Sequence, residues 1–200
     1  KQKNQQQHLF HFFNANKAAT TEDILSRLPE LSLVRRGAYG MDPVIRSFNA
    51  PQINVLLDGM RIHGACTDRM DPATIYIEPL NLQNIQVQTG ASSLFNGASV
   101  GGNINMKLAE AAYGGNNRLF GTVSSGYQTA AKALYESLSL DYSTEKWGIK
   151  ATGTYRKSNE YRAGGGQKVP YSQFEKFNYS LSGKYRLNDQ WHLKASLLAD

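Results

Sequence analysis

Apolar and polar residues alternate along most of the second half of the chain. From Trp147 to Arg156 the odd positions are apolar, aromatic or glycine, and almost every even position is polar. Because successive side chains of a strand point to opposite faces, this two-residue period predicts strands rather than helices. About five strands of about ten residues are predicted, and they cover 119–127, 134–142, 147–156, 177–187 and 191–197.

Two kinds of sheet explain this alternation. A tilted strand of 9 to 11 residues crosses a bilayer, with aromatic side chains near its ends at the two interfaces. A soluble antiparallel sheet with one wet face has the same period. The strand length, the Trp and Tyr residues at the strand ends and the low charge of the aromatic face favour the membrane, with Glu136 as the exception. The opposite face predicts a basic lumen, because it carries Lys150, Arg156, Lys184, Arg186 and Lys194.

The first half of the chain has short apolar runs separated by glycine and proline. Residues 1–19 are rich in Gln and Asn and predict an extended segment, in which His8 and His11 are solvated. A capping-box-like sequence at 20–23 predicts a short helix that Pro29 closes. Extended runs follow at Leu31–Val34, Val44–Phe48, Ile53–Leu57 and Ile85–Gln88, with a hairpin turn at Asp58-Gly59. These elements predict a small α+β domain.

Charge and cysteine content exclude several function classes. The net charge is +6, and 12 of the 22 basic residues lie in 111–200. A nucleic-acid surface gathers its basic residues in a patch with stacking aromatics, whereas these alternate with apolar residues along strands, so no nucleic-acid partner is predicted. The single cysteine, Cys66, excludes an intrachain disulfide framework. No nucleophile, base and orienting group stand together, so we predict neither an enzyme nor a catalytic cofactor.

Five ordered segments of the first half resemble the plug domain of TonB-dependent outer-membrane receptors. They are Glu22–Pro29, Ile45–Phe48, Asn54–Met60, Ile85–Gly90 and the glycine-rich pair Ser93–Gly97 with Gly101–Asn105. Three departures are Ser47, where the family usually has glycine, Gln86, where it usually has glutamate, and Thr89–Ala91, where it usually has Arg-Gly-Pro.

The resemblance implies a fold, a location and partners. An α+β plug domain at 20–110 would be followed by an antiparallel transmembrane β-barrel of about 22 strands, of which 111–200 would supply about five. The protein would lie in the outer membrane of a Gram-negative bacterium, in contact with lipid, and would work with the TonB-ExbB-ExbD energy-coupling complex. No convincing TonB box is found in residues 1–19.

The candidate metal chemistry lies between His63 and Pro72. Thiolate and thioether groups are soft ligands that select Cu(I), and the spacing of Cys66 and Met70 places both sulfur atoms on one face of a helical turn. From the residues alone, a buried small thiol and a methionine that fills a gap are the favoured interpretation, because two soft atoms do not complete a metal site. Asp68 and Asp71 are harder ligands, which we interpret as turn and capping residues.

The segment 64–76 resembles the Cys-x-x-x-Met and Arg-Met-Asp-Pro segment of TonB-dependent copper receptors. That resemblance implies copper as the bound substrate, with Cys66 and Met70 as ligands beside a His-x-Met pair from the barrel. No His-x-Met occurs in these 200 residues, and His63 is a third candidate ligand. For Met41, Met60 and Met106 we predict core packing rather than a metal path.

Two other functions stay open at this point. The first keeps the receptor and changes the cargo to an iron chelate, haem, cobalamin or a peptide. The second is a barrel without a transport role that serves as a structural subunit of an outer-membrane assembly. The resemblance therefore implies an outer-membrane receptor, with copper as its cargo.

Overall fold

The computed structural model describes residues 20–91 and 96–200, which fall into two compact units. One unit ends at Leu108, and the other runs from Ala109 to Asp200, two residues before the boundary predicted from the sequence. The extended segment predicted at 1–19, with His8 and His11, lies outside the described residues. Within the described ranges, no helix is long and apolar enough to cross a membrane.

The first unit opens with a short helix, α1 (Thr21–Leu25), where the capping box predicts one. The Thr20 hydroxyl accepts a hydrogen bond from the Asp23 backbone N–H at 3.1 Å, and the Asp23 carboxylate accepts one from the Thr20 N–H at 2.9 Å. These reciprocal bonds satisfy two of the donors that a helix start leaves without partners. Ile24 and Leu25 are fully buried and fix the helix on the core.

Six strands follow in the first unit. They are β1 (Leu31–Arg35), β2 (Met41–Ile45), β3 (Ile53–Leu57), β4 (Met60–Arg61), β5 (Leu82–Thr89) and β6 (Gly102–Leu108). Strands β1 and β2 pair with each other, and the other four form a mixed sheet in the order β4-β3-β6-β5, with β3 and β6 parallel. The α+β prediction and the hairpin at Asp58-Gly59 are confirmed. Strand β6 was missed because glycines precede its Asn-Ile-Asn-Met alternation.

Strand β2 ends at Ile45, before the predicted end at Phe48, because the chain reverses there. Ile45 and Phe48 exchange two backbone hydrogen bonds of 2.9 Å each, and the residues between them, Arg46 and Ser47, have φ angles of 48° and 72°. Two consecutive left-handed residues define a type I′ turn, which favours glycine at its second central position. Ser47 is the residue that replaces the glycine usual in similar plug sequences, so a side chain stands where only glycine is free of strain.

Replacing Ser47 by glycine should stabilise the protein. Glycine relieves the strain of the left-handed backbone, which stabilises the folded state, but it also makes the unfolded chain more flexible, which opposes folding. The net expectation is a gain of about 0.5–1 kcal/mol in the free energy of unfolding. Denaturant unfolding measures the change. Ser26→Gly is the matched control, because Ser26 has a right-handed φ of −62° and its hydroxyl donates to Asp23, so that variant should lose stability. If the Ser47→Gly protein is no more stable than the parent, the left-handed conformation of Ser47 is not strained.

The second unit is an antiparallel sheet of five strands in chain order. They are β7 (Arg118–Gln128), β8 (Ala133–Ser143), β9 (Trp147–Ser158), β10 (Phe174–Arg186) and β11 (His192–Ala199). All five predicted strands are confirmed, and their ends differ from the predicted ends by at most three residues. The count of about 22 strands in a closed barrel stays a prediction.

The faces of this sheet are inverted with respect to a soluble protein. Val123 on the apolar face is 78% exposed, whereas Thr154 on the polar face is 6% exposed and Asn178 is 2% exposed. A soluble sheet turns its apolar face to the core. An apolar face that is open along β7 to β11 is the arrangement required when lipid is the solvent, so the geometry agrees with the transmembrane interpretation.

Two aromatic rows bracket the apolar face. Trp147 pairs with Tyr185 near one end of the strands, and Tyr155 pairs with Phe177 near the other. Eight residues separate the rows along β9, which is about 26 Å at 3.3 Å per residue. A strand tilt of about 40° reduces this to about 20 Å along the membrane normal, compared with an apolar band about 25 Å tall in membrane barrels. Glu136 lies opposite Tyr155. The exceptional carboxylate therefore belongs to an interfacial row, where a charge reaches water.

Charges on the polar face are largely paired. The Lys150 ammonium lies 2.9 Å from the Asp141 carboxylate, and the Arg156 guanidinium lies 4.4 Å from the centre of the Tyr135 ring. The predicted basic residues do share one face. Lys150 thus has a carboxylate as its partner and Arg156 an aromatic ring, which are the kinds of partner that cations removed from water require.

Glu110 fastens the segment that leads into β7. Its two carboxylate oxygens accept from Lys184 at 2.7 Å and from Lys194 at 3.1 Å, and these lysines lie opposite each other on β10 and β11. Nearby, Gly114 N–H donates to the Thr144 carbonyl at 2.9 Å. The hydrogen bond from Lys184, opposed by partial desolvation and aided by Lys194, lowers the pKa of Glu110 below its ordinary value of 4.5.

Glu110→Gln should weaken the attachment of the segment 109–117 to β10 and β11. At pH 7 the neutral amide loses both ion pairs, so backbone hydrogen exchange across 109–117 should rise about three- to tenfold. Because the folded pKa is lowered, the contribution is fully present above pH 4.5 and is lost as the pH falls through the folded value. The two proteins should therefore converge in acid. Glu145→Gln, in an exposed turn, is the control, and equal effects of both variants would refute the fastening.

Candidate metal centre

The segment that carries the candidate ligands is a loop between β4 and a 3-10 turn at Ala73–Tyr76. It borders a cavity of about 440 Å³ in the first unit. Cys66 is half-buried and lines this cavity together with the exposed His63. Met70 is 59% exposed and is not among the lining residues. The structure therefore brings Cys66 and His63 to one cavity and leaves the Met70 thioether on the outer side of the loop.

Asp71 organises the loop around Cys66. Its carboxylate accepts from the backbone N–H of Ala65 at 2.6 Å and of Cys66 at 2.7 Å, and from the Tyr76 hydroxyl. The hydrogen bond from Tyr76 is the largest cause that holds the pKa of Asp71 below its ordinary 3.8, and the two backbone donors act in the same direction against desolvation. The capping role predicted for Asp71 is confirmed, and Tyr76 is a partner that the sequence did not reveal.

Gly64 allows the loop to close. A Cβ at this position would collide with the backbone oxygen of Asp71, which is rigid. Any side chain at residue 64 would therefore push apart the two ends that the Asp71 carboxylate holds together. The position of the Cys66 backbone thus depends on a glycine before it and a carboxylate after it.

The predicted helical turn from Cys66 to Met70 is wrong. The Arg69 N–H donates to the Cys66 carbonyl at 3.0 Å, and Arg69 has a φ of 58°. A left-handed residue at the third step ends any helix, so the rule that places residues four apart on one face does not apply. Asp68 lies in this turn, as predicted. The assignment of Cys66 and Met70 as ligands stays a prediction, based on the chemistry of their sulfur atoms and on the resemblance to copper receptors.

Arg69 ties the loop to the core of the unit. Its guanidinium lies 3.2 Å from the carboxylate of Asp42, a buried residue of β2 that also binds Arg36 at 3.3 Å. A further hydrogen bond of 2.7 Å runs from Arg69 to the Ala50 carbonyl. This role of Arg69 was not predicted from the sequence. The signal for it is Asp42, a carboxylate inside the otherwise apolar Met-Asp-Pro-Val-Ile strand, because a buried carboxylate needs a cation or another donor beside it.

The remaining methionines differ in their surroundings. Met106 is fully buried, which confirms core packing there, and Met41 is half-buried. Met60 is 67% exposed, so core packing is wrong for this residue, because it follows the Asp58-Gly59 turn on the short strand β4. Met60 thus matches Met70 in exposure without belonging to the loop.

The candidate ligands suit a soft metal and do not complete a site by themselves. Across 20–91 and 96–200, no three His, Cys, Asp or Glu side chains are grouped so as to hold a metal ion. The thiol and the imidazole that line the cavity, and the thioether outside it, are donors that Cu(I) accepts and that Mg²⁺ or Ca²⁺ does not. Further ligands would have to come from outside this loop.

Comparison with known proteins gives one matching family model and several solved structures that share one fold. The family described as TonB-dependent Receptor Plug Domain matches residues 12–103. No curated protein matches the chain. Among solved structures, "Copper transporter OprC" matches with a TM-score of 0.81 and 23% identity over 90% of this chain and 27% of that one.

Two further solved structures are of proteins named for different cargo. The FrpB iron transporter of Neisseria meningitidis matches with a TM-score of 0.74 and 16% identity over 92% of this chain and 29% of that one. A Serratia marcescens hemophore receptor HasR, in complex with its hemophore HasA and heme, gives 0.76 and 18% over 93% and 30%. The chain thus spans less than a third of each of these proteins. At such identities the matches establish the fold.

Asp71→Asn should expose the Cys66 thiol. The asparagine amide has one acceptor oxygen, whereas three donors bind the Asp71 carboxylate. One or two of these hydrogen bonds would be lost, at about 1 kcal/mol each. Cys66 should therefore react roughly tenfold faster with a pyridyl disulfide. In the parent, protection is present above pH 3.8 and is lost as the pH falls through the lower folded pKa of Asp71. Asp68→Asn is the control. Equal thiol reactivity in the Asp71 variant and the parent would show that the carboxylate does not hold the loop.

Proposed function

We propose that the chain is part of a TonB-dependent receptor of the Gram-negative outer membrane, whose plug domain it resembles over 12–103, and that the receptor captures and imports copper. The observation that carries this proposal is the Cys66 thiol at the plug cavity, held there by Asp71 and followed by the exposed Met70 thioether. Both sulfur atoms prefer Cu(I) over the hard cations that are common outside the cell. The fold is shared with a copper transporter and also with iron and haem receptors, so the sulfur ligands carry the choice of cargo.

Import by this route needs no covalent step. Copper would bind at the plug loop, and the TonB-ExbB-ExbD complex would supply the energy that displaces the plug and opens a path. The ligands that complete the metal site would come from the parts of the receptor outside this chain, in keeping with the incomplete donor set around Cys66. The protein acts in this proposal as a transport receptor, with copper as its substrate rather than its cofactor.

A second cargo class is favoured by one feature of the same cavity. Arg61, Arg69 and His63 line it beside Cys66, and guanidinium groups suit carboxylate or phosphate groups better than a bare cation. An anionic metal chelate would meet this lining. Two of the similar structures are named for iron or haem cargo. In Arg69, however, the guanidinium is already bound to Asp42 and Ala50, which favours the sulfur ligands.

Titration of the full-length receptor with Cu(I) under a competing chelator tests the cargo. Cys66→Ala and Met70→Ala should each weaken binding at least tenfold, because two soft donors cannot be replaced by water without loss of affinity. Met60→Ala is the matched control, since Met60 is 67% exposed and lies outside the loop. It should leave the affinity unchanged.

The outcomes separate the cargo from the receptor. Unchanged copper affinity in both loop variants would exclude these ligands. If the parent fails to bind Cu(I) while an anionic ferric chelate binds and Arg61→Gln weakens it, the cargo is a chelate and the receptor assignment stands.

A further inference from the structure

The segment 109–117, which we name the strap, runs across the polar face of the five-stranded sheet before the chain enters β7. Its course follows one register row that holds a residue from each strand: Arg118, Ser143, Gly148, Lys184 and Lys194. Neighbouring strands lie about 4.8 Å apart, so this row is about 19 Å long. The strap is long enough to cover it, since an extended chain spans about 3.3 Å per residue.

The strap is attached to the strands that it crosses. The Glu110 carboxylate is bound by a lysine of β10 and a lysine of β11. At β9 the backbone of Ala112 passes directly over Gly148. At the end of β8 the Gly114 N–H donates to the Thr144 carbonyl at 2.9 Å. The attachments therefore follow one another along the row, from β11 back to β8.

Gly148 is the seat of the strap. It is buried, and a Cβ at this position would collide with the backbone oxygen of Ala112. Gly153 on the same strand differs, because a Cβ there would meet nothing within 4 Å. Glycine weakens a strand and often marks a place where another backbone approaches closely. The close passage of the strap therefore explains the glycine at position 148.

Side chains of the strap add to the seat. The Tyr113 ring centre lies 5.5 Å from the Lys184 ammonium and 6.0 Å from the Arg186 guanidinium, and Ala111 is 3% exposed. All these contacts join residues of the second compact unit, which begins at Ala109. The seat of the strap is thus built by the sheet itself, and none of these contacts requires the plug to be folded.

We propose that the strap is the fixed anchor of the plug, and that it stays on the sheet when the plug is displaced. The part of the chain that moves then ends at Leu108, where the first compact unit ends, ten residues before β7 begins at Arg118. Traction on the plug opens a path without releasing the strap from the sheet. The inference rests on the receptor role proposed above for the traction, whereas the seat depends on the sheet alone.

Hydrogen exchange of the full-length receptor in detergent, over a series of urea concentrations, tests the anchor. Mass spectrometry compares peptides from the strap, from β3 and β6 of the plug, and from β9. The strap should stay protected at concentrations where β3 and β6 exchange at least tenfold faster than without urea. Loss of protection of the strap together with β3 and β6 at every concentration would overturn the proposal.

Two variants remove the seat without touching the plug. Gly148→Ala should raise exchange of the strap at least tenfold even without urea, because the new Cβ displaces Ala112. Gly153→Ala on the same strand is the matched control and should leave exchange of the strap unchanged. Tyr113→Ala should raise it about two- to fivefold through loss of the ring contacts. It changes no strand residue, so its result does not depend on how the Gly148 variant folds.

The remaining outcomes are equally decisive. If Gly148→Ala and Tyr113→Ala both exchange like the Gly153→Ala control, the strap has no seat on the sheet and the proposal fails. Copper titration of the same samples separates this proposal from the cargo. A receptor that does not bind copper while its strap outlasts the plug refutes only the cargo. A receptor that binds copper while strap and plug lose protection together refutes only the anchor.

Discussion

The second unit depends on one constraint, namely that lipid accepts no hydrogen bonds. Every backbone group of a strand in the bilayer must pair with a neighbouring strand, and side chains must then sort by face. The register satisfies this for β8, β9 and β10, which pair on both sides, and most apolar residues lie on one face with serine, threonine and asparagine on the other. The same sorting puts the aromatic rows at two heights and leaves Glu136 in one of them. Polarity that would be misplaced in a soluble sheet is thus consistent along all five strands.

Charge is arranged similarly in both units, since in each unit one carboxylate holds two cations. Asp42 holds Arg36 and Arg69 in the first unit, and Glu110 holds Lys184 and Lys194 in the second. These carboxylates join segments that are far apart in sequence. Removal of one would leave cations without a partner, which costs more than the pair contributes. The basic face of the sheet therefore carries ion pairs at Lys150, Lys184 and Lys194 and ring contacts at Arg156 and Arg186.

The features that could be predicted from the sequence are those encoded by residues close together along the chain. Two-residue alternation located all five long strands, and the sequence from Thr20 to Asp23 located α1, because both signals lie within a few residues. Three features escaped for physical reasons. The left-handed conformations of Ser47 and Arg69 are imposed by hydrogen bonds across a turn, and no residue type announces them. The bond between Tyr76 and Asp71 closes a loop, and the pairing of Glu110 with two lysines depends on a fold that brings distant residues together.

The error over the Cys66 turn sharpens the metal hypothesis. In a helical turn the two sulfur atoms would form a preformed pair, and the metal would bind without movement of the loop. With Arg69 left-handed and Met70 outside the cavity, the thioether has to swing towards Cys66 or meet the metal from the outer side. The ion pair between Arg69 and Asp42 limits that movement to the residues after Arg69. A metal arriving from outside would therefore contact the exposed thioether first and the half-buried thiol second, an order that suits capture before transfer inward.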